Sequence, residues 1–335
     1  MSKKRILLFV CCAVFFLGNT IGFAQNKTEI KLIQPPYLKA GDTVAIVAPS
    51  GVLKNRFDDI NRAKQLLESW NLHVVIGKHV FNQANHFAGT DQERCEDFQL
   101  ALDDPKIKAI WSARGGYGTV RILDSLDYTK FLKQPKWVIG YSDITALHNQ
   151  IHNLGVQSLH AIMGVSLPEN LEDIADSIAT FKNTLFGQPL RYALKGSKYN
   201  KPGDANGVLV GGNLTILHTM LGSKESIDTD GKILFIEEIG EYKYHIDRML
   251  QSLKRAGYFD NCKGVLVGDM SKMRKNTTLW GTSIEQLIID ALSDYNFPIA
   301  FNMPAGHEKD NRALILGRQV ILKVDKSKST LIFEK

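Results

Sequence analysis

Lys136-Trp137-Val138-Ile139-Gly140-Tyr141-Ser142-Asp143-Ile144-Thr145-Ala146-Leu147 is the stretch from which the rest of the chain can be read. A short apolar strand breaks at Gly140-Tyr141-Ser142-Asp143. A helix follows, with Ile144, Leu147, Ile151 and Leu154 close to a helical repeat. A serine at a strand-to-helix break has the geometry of a nucleophile elbow. Its hydroxyl stands clear of the sheet, and the N–H groups of the helix start point into the same space. The match to Gly-x-Ser-x-Gly is partial, because Ile144 holds the last position. On this stretch alone Ser142 or Asp143 reads first as a helix N-cap, the commoner use of such residues.

Outward from the elbow the pattern alternates. Residues 43–48 form an apolar strand broken by Pro49-Ser50-Gly51, and 58–70 a helix with Ile60, Ala63, Leu66 and Leu67 on one face. Residues 72–76 read as a strand, 91–102 as a helix, and 109–113 as a strand that ends at Arg114-Gly115-Gly116-Tyr117-Gly118. A helix is expected to start at 119–123. Strands separated by such helices imply a parallel sheet whose carboxyl-terminal edge collects ligand-binding loops. Residues 170–205 are less regular and contain Gly187, Pro189, Gly196 and Pro202. A second unit begins with a strand at 207–210, a turn at Gly211-Gly212-Asn213 and a helix at 214–221. Strands at 232–237, 264–268 and 298–302 alternate with helices at 244–256 and 284–292, and 313–335 alternates as β strands. The fold class is α/β: an N-terminal parallel-sheet domain (25–175), a linker (176–206) and a C-terminal α/β domain with a β-rich end (207–335).

With 44% hydrophobic residues the chain can bury a full core. Lys3-Lys4-Arg5, the apolar run 6–17 and Gly22-Phe23-Ala24 before Gln25 form a signal peptide over residues 1–24. They imply export, to the periplasm, with no stable membrane association after cleavage. An uncleaved anchor is the alternative, for which the apolar run is short. Three of the six net positive charges belong to Lys3, Lys4 and Arg5, which leaves +3 for the rest. No basic run with interleaved aromatics appears, so no nucleic-acid partner is expected. Beyond the signal segment Cys95 and Cys262 remain, far apart and expected to be unpaired buried thiols.

A nucleophilic Ser142 needs a base and a group to orient that base. His307 lies in the loop 303–311, after a strand and beside Gly306; the plain alternative is a surface histidine. Glu237 and Glu238 end an apolar run and point to opposite faces, so one can reach a cleft. A solvated strand end is the alternative. The loop 114–118 can offer an oxyanion donor through its glycines. As a nucleotide loop it fails, because Arg121 stands where a third glycine belongs. Gly211-Gly212-Asn213 reads as a ligand contact or as a tight turn before a helix. His148 and His152 share a helix face, but Asn149 replaces the glutamate of a zinc motif, and no metal is expected.

Jointly these pieces resemble the LD-carboxypeptidase family of serine peptidases, which includes murein tetrapeptide carboxypeptidases and microcin C immunity proteins. The similar segments are Pro36-Tyr37-Leu38-Lys39-Ala40-Gly41-Asp42, Val47-Ala48-Pro49-Ser50-Gly51, Ala113-Arg114-Gly115-Gly116-Tyr117-Gly118 and Ile139-Gly140-Tyr141-Ser142-Asp143. They continue with Gly211-Gly212-Asn213-Leu214, Phe235-Ile236-Glu237-Glu238, 244–250 and Gly306-His307 with Asn311. The resemblance implies Ser142 as nucleophile, His307 as general base and then acid, and Glu237 as its orienting partner. By the same analogy Gly116 and Asp143 lend oxyanion N–H groups, and Arg114, Tyr117 and Asn213 touch substrate. The family usually has Glu-Asp where this chain has Glu237-Glu238. The implied reaction releases terminal D-alanine from a murein tetrapeptide, at the L-centre of meso-diaminopimelate or lysine. It needs no cofactor, and the resemblance implies a homodimer. Two other readings remain at this point: an amidase that inactivates a peptidyl-nucleotide antibiotic, and a murein-peptide binding protein without turnover.

Overall fold

Alternating apolar strands and amphipathic helices build two sheets, and the computed structural model describes residues 32–334 of the chain. The signal segment lies outside the described residues. Among the described residues no helix is long and apolar enough to cross a membrane.

The chain opens with β1 (Thr43–Val47), α1 (Phe57–Glu68), β2 (His73–Ile76), α2 (Asp91–Asp103) and β3 (Ile107–Ser112). It continues with α3 (Thr129–Lys133), β4 (Trp137–Gly140), α4 (Thr145–Asn153), β5 (Ser158–His160), α5 (Ala175–Leu185) and β6 (Arg191–Lys195). Next are β7 (Gly203–Asn213), α6 (Leu214–Thr219), β8 (Ile233–Ile239), α7 (Lys243–Arg255), β9 (Gly264–Ser271), α8 (Ile284–Ala291) and β10 (Ile299–Ala300). Three strands close it: β11 (Leu314–Leu316), β12 (Gln319–Val324) and β13 (Lys328–Phe333).

The first sheet has the order β11-β5-β4-β3-β1-β2, with β1 to β5 parallel and β11 antiparallel at its edge. The second has the order β10-β9-β8-β7-β12-β13-β6. It is parallel through β7 to β10 and antiparallel through β12, β13 and β6. This is the α/β class, with its parallel first sheet and β-rich end.

Local chemistry explains the element starts. Thr90 and Glu93 cap α2 reciprocally: Thr90 Oγ1 accepts from Glu93 N–H at 3.2 Å, and Glu93 Oε2 accepts from Thr90 N–H at 2.7 Å. Such caps contribute about 0.5–2 kcal/mol. Helix α1 buries Ile60, Ala63, Leu66 and Leu67, and α7 buries Ile246, Met249, Leu250 and Leu253, each at helical spacing. Trp111 and Trp137 are fully buried in the first sheet, and their indole N–H groups donate to the Ile162 and Pro36 carbonyls. Cys95 and Cys262 are both unpaired, Cys262 buried and Cys95 only partly so.

Four expectations change. Residues 176–206 are not an irregular linker but hold most of α5, then β6 and the start of β7. Residues 119–125 form two single tight turns rather than a helix. Strand β11 leaves the C-terminal part and adds to the first sheet, Leu314 beside His160. Gly211 and Gly212 do not turn: β7 runs straight through them. They lie in it because the strand is crowded, since a β-carbon on Gly212 would stand 2.5 Å from Thr145 Oγ1. That close approach seats β7 against the first turn of α4. There Asn213 N–H donates to Thr145 Oγ1 at 3.0 Å, coupling the second sheet to the elbow.

Candidate active site

The elbow forms as its sequence suggests. Strand β4 ends at Gly140, a tight turn spans Ser142–Ile144, and α4 starts at Thr145. Ser142 has φ +63°, a left-handed conformation that an L-residue with a β-carbon avoids. Holding it costs about 1–3 kcal/mol, so the surroundings must over-determine it. His148, one turn into α4, does part of this. Its Nε2 donates to Gly140 O at 2.9 Å, while its Nδ1 accepts from Ser158 Oγ at 2.8 Å. Full burial pushes the His148 pKa down to about 4, which keeps the ring neutral. With both nitrogens engaged, His148 is a brace rather than a metal ligand.

The glycine loop 114–118 packs against this turn. A β-carbon on Gly115 would lie 3.1 Å from Ser142 Cβ and 3.4 Å from its Oγ. Two buried groups hold the loop. Arg94 donates to Gly118 O at 2.9 Å and also to Pro49 O, and Asp143 Oδ2 accepts from Thr119 N–H at 2.8 Å. The Asp143 carboxylate therefore ties the elbow to the glycine loop. Arg114 donates to Val52 O, and Tyr117 is half exposed beside the ring of Phe87.

The second sheet presents a buried carboxylate. Glu237 is wholly buried at the end of β8, and its Oε2 accepts from His307 Nδ1 at 2.7 Å. Burial alone would lower the His307 pKa. The Glu237 hydrogen bond and charge outweigh it, and the net value rises above the ordinary 6.5. Its neighbour Glu238 faces the other way. It accepts from Asn213 Nδ2 (3.1 Å), Thr215 N–H (2.7 Å) and Ile239 N–H (2.8 Å), and so fixes the start of α6. Asn213 is drawn into the same cap, with Oδ1 accepting from Ile216 N–H at 3.2 Å. Its side chain thereby serves as the N-cap of α6.

His307 is held by Gly306 and Asn311 of its own loop and by Asp269, a residue that pattern reading passed over. Asp269, in β9, grips the loop on both sides of it: its N–H donates to Ala305 O at 2.9 Å, and its Oδ2 accepts from Glu308 N–H at 3.1 Å. Burial pushes the Asp269 carboxyl up to about 6. Between these points Gly306 has φ +142°, and a β-carbon there would stand 2.9 Å from Asp269 Cβ and 3.0 Å from Glu237 Oε2. Only glycine fits. Asn311 Oδ1 accepts from Gly306 N–H at 3.1 Å and from His160 Nε2 at 3.3 Å. The ring of His307 meets that of Tyr141, next to Ser142, at 4.9 Å. No local signal marks Asp269, because its role depends on a strand and a loop 36 or more positions apart (Ala305, Glu308).

A serine strained at a strand–helix elbow, its neighbour Tyr141 in ring contact with a histidine oriented by a buried carboxylate, defines a hydrolase-type site on two α/β halves. The comparisons agree. The chain matches the LD-carboxypeptidase N-terminal domain over residues 44–161 and the LD-carboxypeptidase C-terminal domain over residues 206–322. It is 36% identical over 293 residues to the probable murein peptide carboxypeptidase of Bacillus subtilis, covering 86% of this chain and 91% of that one. It is 28% identical over 292 residues to the murein tetrapeptide carboxypeptidase of Pseudomonas aeruginosa, covering 83% and 92%. Among solved structures, the muramoyltetrapeptide carboxypeptidase from Oxalobacter formigenes superposes with a TM-score of 0.80 at 29% identity, over 88% of this chain and 99% of that one. The wild-type microcin C7 self-immunity protein superposes at 0.79 with 21% identity, over 90% and 99%, a likeness of fold alone. The chain belongs to the LD-carboxypeptidase family and is a peptidase.

Proposed function

We propose that this protein is an exported serine LD-carboxypeptidase that removes terminal D-alanine from murein tetrapeptides. One observation carries the reading: buried Glu237 accepts from His307 at 2.7 Å, and the His307 ring packs against Tyr141, the residue before a serine held at φ +63°. Glu237 fixes His307 with Nδ1 protonated, which leaves Nε2 free to take the Ser142 proton. Ser142 Oγ attacks the carbonyl at the L-centre of the diamino acid. The backbone N–H groups of Gly116 and Asp143 stabilise the oxyanion. His307 then protonates the departing amine, D-alanine leaves, and water frees the tripeptide by the reverse sequence. The names of the relatives support murein peptides as the substrate class. Residues 1–24 support action outside the cytoplasm.

The test is to incubate the mature protein with defined muropeptides and weigh the products. Loss of one alanine from tetrapeptides, and none from tripeptides, is the expected outcome. Intact tetrapeptide after exhaustive incubation refutes the reading.

A further inference from the structure

Strands β8 and β9 fall out of step at one place. Ile236 pairs with Val267 and Glu238 with Met270, so Gly268 and Asp269 together oppose Glu237. This is a β-bulge, the irregularity by which a strand re-aims a side chain beside a functional site. Here it leaves Glu237 and Asp269 against the same residue. A β-carbon on Gly306 would stand 2.9 Å from Asp269 Cβ, 3.0 Å from Glu237 Oε2 and 3.2 Å from Asp269 Oδ2. Two carboxylates therefore border the residue before His307.

The bulge also decides how the loop of His307 is held. Val267 O accepts from Met303 N–H at 3.2 Å, and Asp269 N–H donates to Ala305 O at 2.9 Å, so main-chain bonds carry the loop along β9 as far as Ala305. No side chain fits at Gly268, where a β-carbon would collide with Ala305 O and the Phe235 ring. At Gly306, φ +142°, the backbone swings away, and the next bond passes to a side chain: Asp269 Oδ2 accepts from Glu308 N–H at 3.1 Å. The charges that act most on Asp269 are Glu308, Glu237 and Asp310, all carboxylates. The cations of the loop are paired elsewhere, Lys309 with Asp173 and Arg312 with Asp310 and Asp176. Burial, with these neighbours, pushes the Asp269 carboxyl up to about 6, so it is ionised at neutral pH. Burial lowers the His307 pKa, and Glu237 first, then Glu238 and Asp269, raise it.

We infer that Asp269 is a positioning residue for the base: from the bulge it holds the loop of His307 through Glu308 N–H, and as an anion it stabilises the imidazolium formed when His307 takes the Ser142 proton. The inference rests on the hydrolytic reading above and adds a second carboxylate to it. The two acids divide the work. Glu237 fixes the ring through Nδ1, and Asp269 fixes the backbone that carries the ring.

The experiment separates the two roles. Asp269→Asn keeps an oxygen that can accept from Glu308 N–H and removes the charge; Asp269→Ala removes both. NMR of the full mature protein with isotope-labelled histidine gives the titration of His307, assigned by its loss in His307→Gln. In Asp269→Asn the His307 midpoint is expected to fall by about half a pH unit or more, as when a nearby opposite charge is removed, and the acid limb of kcat/KM to move with it. In Asp269→Ala kcat is expected to fall about 10²-fold below that of Asp269→Asn, because the base is displaced. A His307 midpoint unchanged in Asp269→Asn overturns the inference: an aspartate that serves only the fold lowers the melting temperature and leaves the midpoint in place. Equal kcat in the two variants overturns the hold on the loop. If Asp269→Ala does not fold, the midpoint in Asp269→Asn decides alone. A wild type that releases no D-alanine removes the hydrolase reading, and the His307 midpoint, read without turnover, still decides the role of Asp269.

Discussion

The carboxyl-terminal edges of the two sheets deliver their chemistry differently. The first sheet does so within four consecutive residues, Gly140 to Asp143, and stores the cost as backbone strain at Ser142. The second does so through Glu237 and His307, 70 positions apart, and stores the cost as a buried carboxylate with Oε1 unpartnered. One half is a turn problem, solved locally by a tight strand-to-helix reversal. The other is a long-range problem, solved only where β8, β9 and the loop 303–311 converge. The two halves therefore fail in different ways when perturbed.

The largest expected effect is at the elbow. Ser142→Ala is expected to lower D-alanine release by about 10⁴-fold or more, as for triad nucleophiles, with little change in stability, because alanine keeps the β-carbon that makes φ +63° costly. Product mass spectrometry with a thermal melt checks both parts; residual turnover near the wild-type rate refutes the nucleophile. At the other edge, Glu237→Gln is expected to lower kcat by about 10⁴-fold, since a wrong histidine tautomer disables the base. Glu238→Gln places an amide NH2 either against Thr215 N–H or, flipped, against Ile239 N–H and Asn213 Nδ2. It is expected to cost about 1–3 kcal/mol of stability, with a much smaller loss of kcat. The reverse ranking moves the orienting acid by one residue. Gly306→Ala is expected to displace His307 and lower kcat by about 10²-fold, as small misplacements of catalytic groups do.

The smallest effects separate the halves by pH. His148 and His160 are buried and neutral, with pKa values pushed down to about 4 and about 3. The unfolded chain binds protons at those positions below the ordinary value of 6.5, so their contribution to stability is lost as pH falls from there toward 4. His307 has the opposite sign. Its raised pKa contributes stability below 6.5 that is lost as pH rises through the folded-state value. Melting curves across pH 4–8 are expected to flatten on the acid side in His148→Gln and to steepen in His307→Gln. In kinetics the base form of His307 is required, so kcat/KM falls on the acid side with a midpoint above 6.5. A midpoint at or below that value in the wild type shows that Glu237 does not stabilise the imidazolium.

Much of this was legible without coordinates. Strand–turn–helix spacing placed Ser142 at the break between β4 and α4, and period-2 and period-3.6 patterns located most of the strands and helices, including the buried faces of α1 and α7. The alternation rule sent Glu237 and Glu238 to opposite faces, as they lie. Misreadings came where tertiary crowding, not turn chemistry, explains a glycine. Gly211 and Gly212 look like a turn but allow a strand to touch Thr145. Residues 176–206 look like a linker because prolines and glycines interrupt them, yet α5 and β6 pack around those breaks.

By itself the sequence determined the alternation of elements, the elbow and the order Ser142, Glu237, His307, because each is carried by residues close together in the chain or by their order along it. Tertiary structure alone decided that Asn213 caps a helix. It also decided that Asp269 grips the loop on both sides of His307 and that Asn311 keeps a buried donor without a partner. Those outcomes depend on distances between segments that a one-dimensional pattern does not contain. Hydrogen bonding, which acts over about 3 Å, selects among side chains only after the sheets have brought them together.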